Sequence, residues 1–253
     1  MRDPKKTLEE NYLDLNFKSA YASTESLIAL EKQVELYHSQ KHKKFIFVWE
    51  YGYYFSTLLI QKSHIHKSYL VLAALYTEAN SAIRATFNLN LQGYHSDSIV
   101  TLRKAHESVI RILACRKNPQ NTWKILSSSD ISKASGKIKL DLKWVYDLES
   151  SFTHSNKLKT FQAGKDLLEG KEKLGVSWGP QQNEKEFFTS ACLSVFWLFV
   201  LIKSANKIFS NQIEKIWLDK QTESCEFLKD YLKERKSTLF EECAKVEKSL
   251  LVF

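Results

Sequence analysis

Arg103, His106 and Glu107 stand three and four positions apart, so on a helix their head groups converge beside one another. The chemistry such a group could do is specific. A planar guanidinium binds a phosphate in bidentate fashion. An imidazole with an ordinary pKa of about 6.5 can move a proton near neutrality. Farther along, Tyr146, Ser150 and His154 fall at i, i+4 and i+8 on the polar side of another helix. A bland reading stands beside the chemical one. Glu107 can bridge Arg103 and Arg111 as a ladder, His106 can be a satisfied core histidine, and His154 can cap a helix end.

The placement of the pair is what singles it out. Ile99, Leu102, Val109, Ile110 and Leu113 recur at helical spacing as one apolar stripe, and Arg103 and His106 fall inside it, within about 60° of its centre. Lys104, Ser108 and Arg111 are expected on the opposite, solvent-facing side. A guanidinium on a core face needs a partner, because burying an unpaired charge is costly. Glu78 and Asp147 are structural candidates, and a phosphate is the functional one.

The elements that position these residues are helices. Seven glycines and three prolines in 253 residues leave long uninterrupted stretches, which favours an all-α fold with short connections. One helix is expected from about Ile65 to Gln92, closed by Gly93, and the next begins at Ser96 or Asp97 as its cap. The short link makes them an antiparallel hairpin. Upstream, Thr24 caps a helix with Leu27, Leu30, Val34 and Tyr37 on its apolar side. The basic, aromatic run around Phe45, Phe47, Trp49, Tyr51, Tyr53, Tyr54 and Phe55 reads as a core-packing helix, although its content also suits a strand or a base-stacking surface.

Downstream, Trp144, Val145, Leu148 and Phe152 mark a further helix, and 155–183 reads as a long irregular loop. A buried helix then spans Glu184 to Phe209. Its apolar core, Ala191 to Ile202, is shorter than the roughly 20 residues that cross a bilayer, so no membrane role is expected. Leu228, Leu232, Leu239, Cys243, Val246 and Leu250 form a stripe able to dock on the body or on a second copy. The whole chain, 1–253, is read as a single helical domain, with a core at about 24–209 and a docking or dimerisation helix at about 221–250.

Composition narrows the function. The four cysteines show no CxxC pairing and read as reduced core thiols of a cytoplasmic protein, and the amino terminus lacks the apolar run of a signal peptide. His64 and His66 are taken as the nearest histidine pair, at a spacing that a helix splays apart, so neither a metal nor another cofactor is expected. Walker, dinucleotide, HExxH and GxSxG signatures are absent. The net charge of +8 suits RNA or another nucleic acid, with Lys41, Lys43 and Lys44 joining Lys157 and Lys159 in one patch, and suits equally a merely lysine-rich surface.

The run 82–115, with GYHSDSIVTLRKAHESV at its centre, and the later YDLESSFTHSN resemble bacterial helical proteins related to the HEPN superfamily. The positions that carry the resemblance are Gly93, Tyr94, Asp97, Arg103, Glu107, Ser150 and His154, and it covers residues 70–155. It implies an antiparallel α-helical bundle, frequent homodimers, and kinship with RNA-cleaving toxins and phage-defence effectors. The chain departs from the HEPN ribonuclease signature, since no arginine is followed by a histidine five to seven positions later. The expectation is a HEPN-like, nucleic-acid-associated protein of bacterial defence that cleaves RNA without a metal. Arg103, His106, Glu107 and His154 are its candidate catalytic residues. The alternative is a non-catalytic helical subunit docking on a partner protein.

Overall fold

The computed structural model describes residues 24–61, 65–115, 145, 147, 149, 180 and 182–251. These fold as an all-α bundle, and no strand occurs among the described residues. Seven α-helices are present among them: α1 (24–41), α2 (Lys43–Gln61), α3 (Leu70–Leu91), α4 (His95–Cys115), α5 (Glu184–Ile208), α6 (Lys215–Glu234) and α7 (Leu239–Leu251). Val145, Asp147 and Glu149 are also helical.

The bundle is arranged around α5. Every residue from Ser190 to Ile202 is buried, and α2, α3, α4, α6 and α7 all pack against this helix. It is long and apolar enough by length and composition to cross a membrane, but 83% of its apolar window is buried inside the fold. A helix that is hydrophobic all round needs neighbours all round, and here the other helices supply them.

The expected α3–α4 hairpin forms, with one shift at each start. Helix α3 begins at Leu70, because His66 caps a separate turn, Lys67–Tyr69, where its Nδ1 accepts from the Ser68 amide. At the other end Gly93 adopts φ 87°. The Tyr94 amide donates to the Leu89 carbonyl at 2.8 Å and the Gly93 amide to the Asn90 carbonyl at 3.2 Å, the paired bonds of a Schellman turn. That turn leads straight into α4 at His95. Ser96 and Asp97 therefore lie in the first turn and not at its cap, where the Asp97 carboxylate still favours the helix dipole.

The aromatic run is helical, as α2, and its buried positions Phe45, Val48, Trp49, Phe55 and Leu59 follow helical spacing. Phe47 and Tyr54 face solvent. Gly52 permits the close approach of α2 to the bundle, for a Cβ there would lie 2.9 Å from Leu228 Cδ2 and 3.0 Å from Leu198 Cδ2. In α1 the expected apolar side is only partly used. Val34 is buried, whereas Leu27, Ile28 and Leu30 are exposed.

The carboxy-terminal stripe docks on the body. Leu228, Leu232, Leu239, Cys243, Val246 and Leu250 all join the hydrophobic core, divided between α6 and α7, so a second copy does not have that surface to use. Glu247 of α7 receives Lys203 of α5 at 3.1 Å and Lys229 of α6 at 3.0 Å, pinning three helices at one point.

The turn from α6 to α7 repeats the Gly93 geometry with a different residue. Ser237 donates to the Leu232 carbonyl at 3.0 Å and Lys236 to the Lys233 carbonyl at 2.9 Å, with Lys236 at φ 51°. A left-handed conformation costs a residue with a Cβ about 1 kcal/mol or more. Lys236→Gly should therefore raise stability by about 0.5–1 kcal/mol, and Gly93→Ala should lower it by about 1–2 kcal/mol. Chemical denaturation of the two variants checks both signs.

Candidate functional site

The inner face of α4 carries a buried polar network. His106 is 3% exposed, and its Nδ1 lies 2.8 Å from Glu149 Oε2, a carboxylate with no exposed surface. The other carboxylate oxygen, Oε1, accepts from Trp197 Nε1 at 2.8 Å. The His106 ring also packs against the Trp197 indole at 4.3 Å between centroids. The network joins α4, the helical residues around Glu149, and α5.

His106 is thus on the core side, as the stripe predicts, with the partner of a core histidine. Glu149 escaped the sequence reading, although the signal was there. It follows Val145 by four positions on the apolar side of its helix, an acidic residue among packing residues, which is the same anomaly that singles out Arg103 and His106.

Arg103 takes a different position from His106. It is half-buried at 26% exposure, and its Nε donates to Glu107 Oε1 at 3.3 Å. Arg111 Nη2 lies 3.8 Å from the other Glu107 oxygen. The Arg103–Glu107–Arg111 ladder is therefore formed, at the boundary between core and solvent. The assignment of Ser108 to the solvent side is corrected. Helix α4 packs on both α3 and α5, which widens its buried face, and Ser108 is buried with its Oγ donating to Glu78 Oε2 at 3.3 Å. Glu78 pairs with Lys104 at 3.1 Å, and Asp147 is exposed.

His154, Lys157 and Lys159 lie outside the described residues. Of the remaining basic candidates, Lys44 pairs with Glu234 and Lys41 Nζ lies 3.0 Å from Glu184 Oε1, so both ammonium groups already face carboxylates. Lys43 is exposed. Cys192, Cys225 and Cys243 are free, buried thiols, and burial pushes the Cys192 thiol up to about 11, so it stays protonated near neutrality. The Cys115 side chain lies outside the described residues.

At the opposite end of α4, roughly 16 Å along its axis from His106, a second polar cluster is formed by α1, α4 and α5. His38 and His42 are both buried and lie against the Phe187 ring at 4.3 and 4.2 Å. His95 meets His38 edge-on and is held by Asn90 Oδ1 at 2.7 Å. Glu184 completes the group. Its Oε2 is 3.4 Å from His42 Nε2, and its Oε1 accepts from Tyr37 Oη at 2.9 Å. Burial lowers the His42 imidazole below the ordinary histidine value despite the neighbouring carboxylate, so the ring is neutral at pH 7. Burial alone would raise the Glu184 carboxyl, but hydrogen bonds from Lys41 and Tyr37 outweigh it and hold the group low. Taking His64 and His66 as the nearest histidine pair passes over this one. His38 and His42 are four apart, the spacing that brings two side chains to one helix face.

Comparison of the chain with protein families, curated proteins and solved structures gave no match, so functional inference rests on these side chains.

The buried dyad makes a stability prediction. His106→Ala removes one partner of a fully buried carboxylate and should cost about 3 kcal/mol or more. Glu149→Gln, which keeps the volume and an acceptor without the charge, should cost less, about 1–2 kcal/mol. Denaturant midpoints of the two variants test this ranking.

Proposed function

We propose that this protein is a HEPN-like, nucleic-acid-associated protein that engages phosphate along the outer edge of α4. The observation that supports the reading is the Arg103–Glu107–Arg111 row. Both guanidiniums approach the Glu107 carboxylate, and the 3.8 Å contact of Arg111 is a loose ion pair. The Arg111 Nε is buried without a hydrogen-bond partner. Side chains about one quarter exposed remain within reach of a phosphate oxygen, and partial desolvation strengthens the attraction.

In this reading Arg103 and Arg111 steady a phosphodiester, and Glu107 holds the two guanidiniums in register. His154 moves the proton in a metal-independent RNA cleavage. His106 is a positioning residue here. Its ring is enclosed and committed to Glu149, so it fixes the inner side of the helix whose outer side meets the substrate. Lys43, with Lys157 and Lys159, adds long-range attraction, and Lys41 and Lys44 contribute only by giving up their carboxylates. Service as a cytoplasmic defence effector follows from the HEPN resemblance.

RNA binding measured against salt tests this. Wild-type protein should bind with a steep salt dependence, and Arg103→Ala and Arg111→Ala should each reduce the slope by about one phosphate contact. Cleavage should be lost in Arg103→Ala and His154→Ala with melting temperatures unchanged. Binding that is undetectable at about 50 mM salt would falsify the reading.

One observation favours a second reading, a non-catalytic subunit that docks on a partner or on another copy. Leu27, Ile28 and Leu30 of α1 are 39%, 46% and 42% exposed, an apolar edge at the start of the described chain. A wild-type protein that ignores RNA yet sediments as a dimer, and becomes monomeric on Ile28→Glu, decides for this alternative.

A further inference from the structure

We infer that His38, His42 and Glu184 form a binding site for a divalent transition-metal ion of the zinc class, which fastens α1 to the start of α5. One ligand atom from each residue lies within 4.8 Å of the other two. Two imidazole nitrogens and one carboxylate oxygen make a set that suits zinc and its neighbours, whereas calcium or magnesium would call for oxygen ligands throughout.

The spacing is already near what coordination requires. With metal–ligand bonds of about 2.0–2.1 Å, two tetrahedral ligands stand roughly 3.3 Å apart. His42 Nε2 and Glu184 Oε2 are 3.4 Å apart. The same His42 nitrogen is buried and makes no hydrogen bond, although a carboxylate oxygen faces it at that distance. A buried imidazole nitrogen in that position lacks a directed partner, and a cation shared with Glu184 provides one.

The surroundings fit a ligand set held from outside. A metal binds in the plane of an imidazole, so stacking of His38 and His42 on Phe187 orients the rings without blocking ligation. His95, fixed by Asn90, buttresses His38 from α4. Tyr37 and Lys41 both contact Glu184 Oε1, which leaves Oε2 as the ligand atom and gives the carboxylate its outer partners. Lys41 is also a competitor, because its ammonium and the metal draw on the same carboxylate charge. The intervening sequence, HSQKH, has serine where the HExxH motif of metalloproteases has its general base, so the site is assigned to binding and not to hydrolysis.

The chemistry also accounts for a weakness of the fold. Helix α1 exposes Leu27, Ile28 and Leu30, and its buried contacts begin at Val34 and end at His42. A metal joining His38 and His42 to Glu184 would fasten the carboxy-terminal end of a helix whose amino-terminal half has little apolar burial to hold it.

The experiment uses the full chain, stripped with a chelator, dialysed, and titrated with zinc alone. One zinc per chain should bind and raise the melting temperature, and cobalt in its place should give the visible absorption of a tetrahedral site. His42→Ala and Glu184→Gln should each weaken zinc binding by at least about tenfold, while His66→Ala leaves it unchanged. Lys41→Met should tighten binding, a change that a simple Lys41–Glu184 ion pair does not predict. Circular dichroism serves as the folding control, and Glu184→Gln decides the matter if the buried His42→Ala variant does not fold. Zinc that fails to bind the wild type, or binds Glu184→Gln as tightly as the wild type, overturns the site.

Discussion

An apolar helix that must be covered on every side is the constraint from which the rest of this structure follows. From Ser190 to Ile202, α5 has no exposed residue, so it offers no polar face to water and sets the number and placement of its neighbours. Helices α2, α3, α4, α6 and α7 meet it, and the small Gly52 lets α2 approach closely enough for Leu198 and Leu228 to fill the space above it. The polar groups left inside are then the ones that need an explanation. Trp197 supplies the central one, since its indole N–H has no water to reach and is given the Glu149 carboxylate instead. That carboxyl group in turn needs a second polar partner, and His106 Nδ1 meets its other oxygen. The chain of requirements runs from the apolar helix to the buried acid to the histidine on α4.

This sequence of needs separates two kinds of residue that look alike in one dimension. Arg103 and His106 are three positions apart and both interrupt the same apolar stripe. In the bundle, one is enclosed and committed to Glu149, and the other stands at the boundary with Glu107 and Arg111. An enclosed dyad can orient and stiffen a helix, but a substrate must reach the group that touches it. A guanidinium at the boundary meets that condition, which is why phosphate binding is proposed for the arginine row and positioning for the histidine.

The helical architecture was legible because its signals are local. Scarcity of glycine and proline, apolar spacing in α3 and α5, and the Gly93 turn each act within a few residues. Helix α2 was less legible, because its aromatic and β-branched content also suits a strand and its aromatics lie on most sides of the helix, so packing in the bundle decides it. What required the fold was the identity of partners. Glu149 meets His106 across 43 positions and Trp197 across 48, and Glu184 meets Tyr37 across 147. No spacing rule reaches that far. The apolar side of α1 was misjudged for a related reason. Periodicity shows which residues share a face, and only the packing of other helices decides how far along that face burial extends.

Helix α4 links the two polar clusters without making them one site. Its first residue, His95, touches His38, and His106 lies three turns on, about 16 Å along the axis. Buried and half-buried charges are screened by salt less than exposed ones, so a charge at the start of the helix is felt along it only with the fall of distance. Mechanical influence is a different matter. Fixing α1 against α5 and against the first turn of α4 would hold the near end of the helix that carries the arginine row, through the hydrogen bond from Tyr94 to Glu31 of α1 and the contact of His95 with His38. A metal there would act on the arginine row through the rigidity of a helix held at two points, by α1 at its start and by Glu149 near its middle.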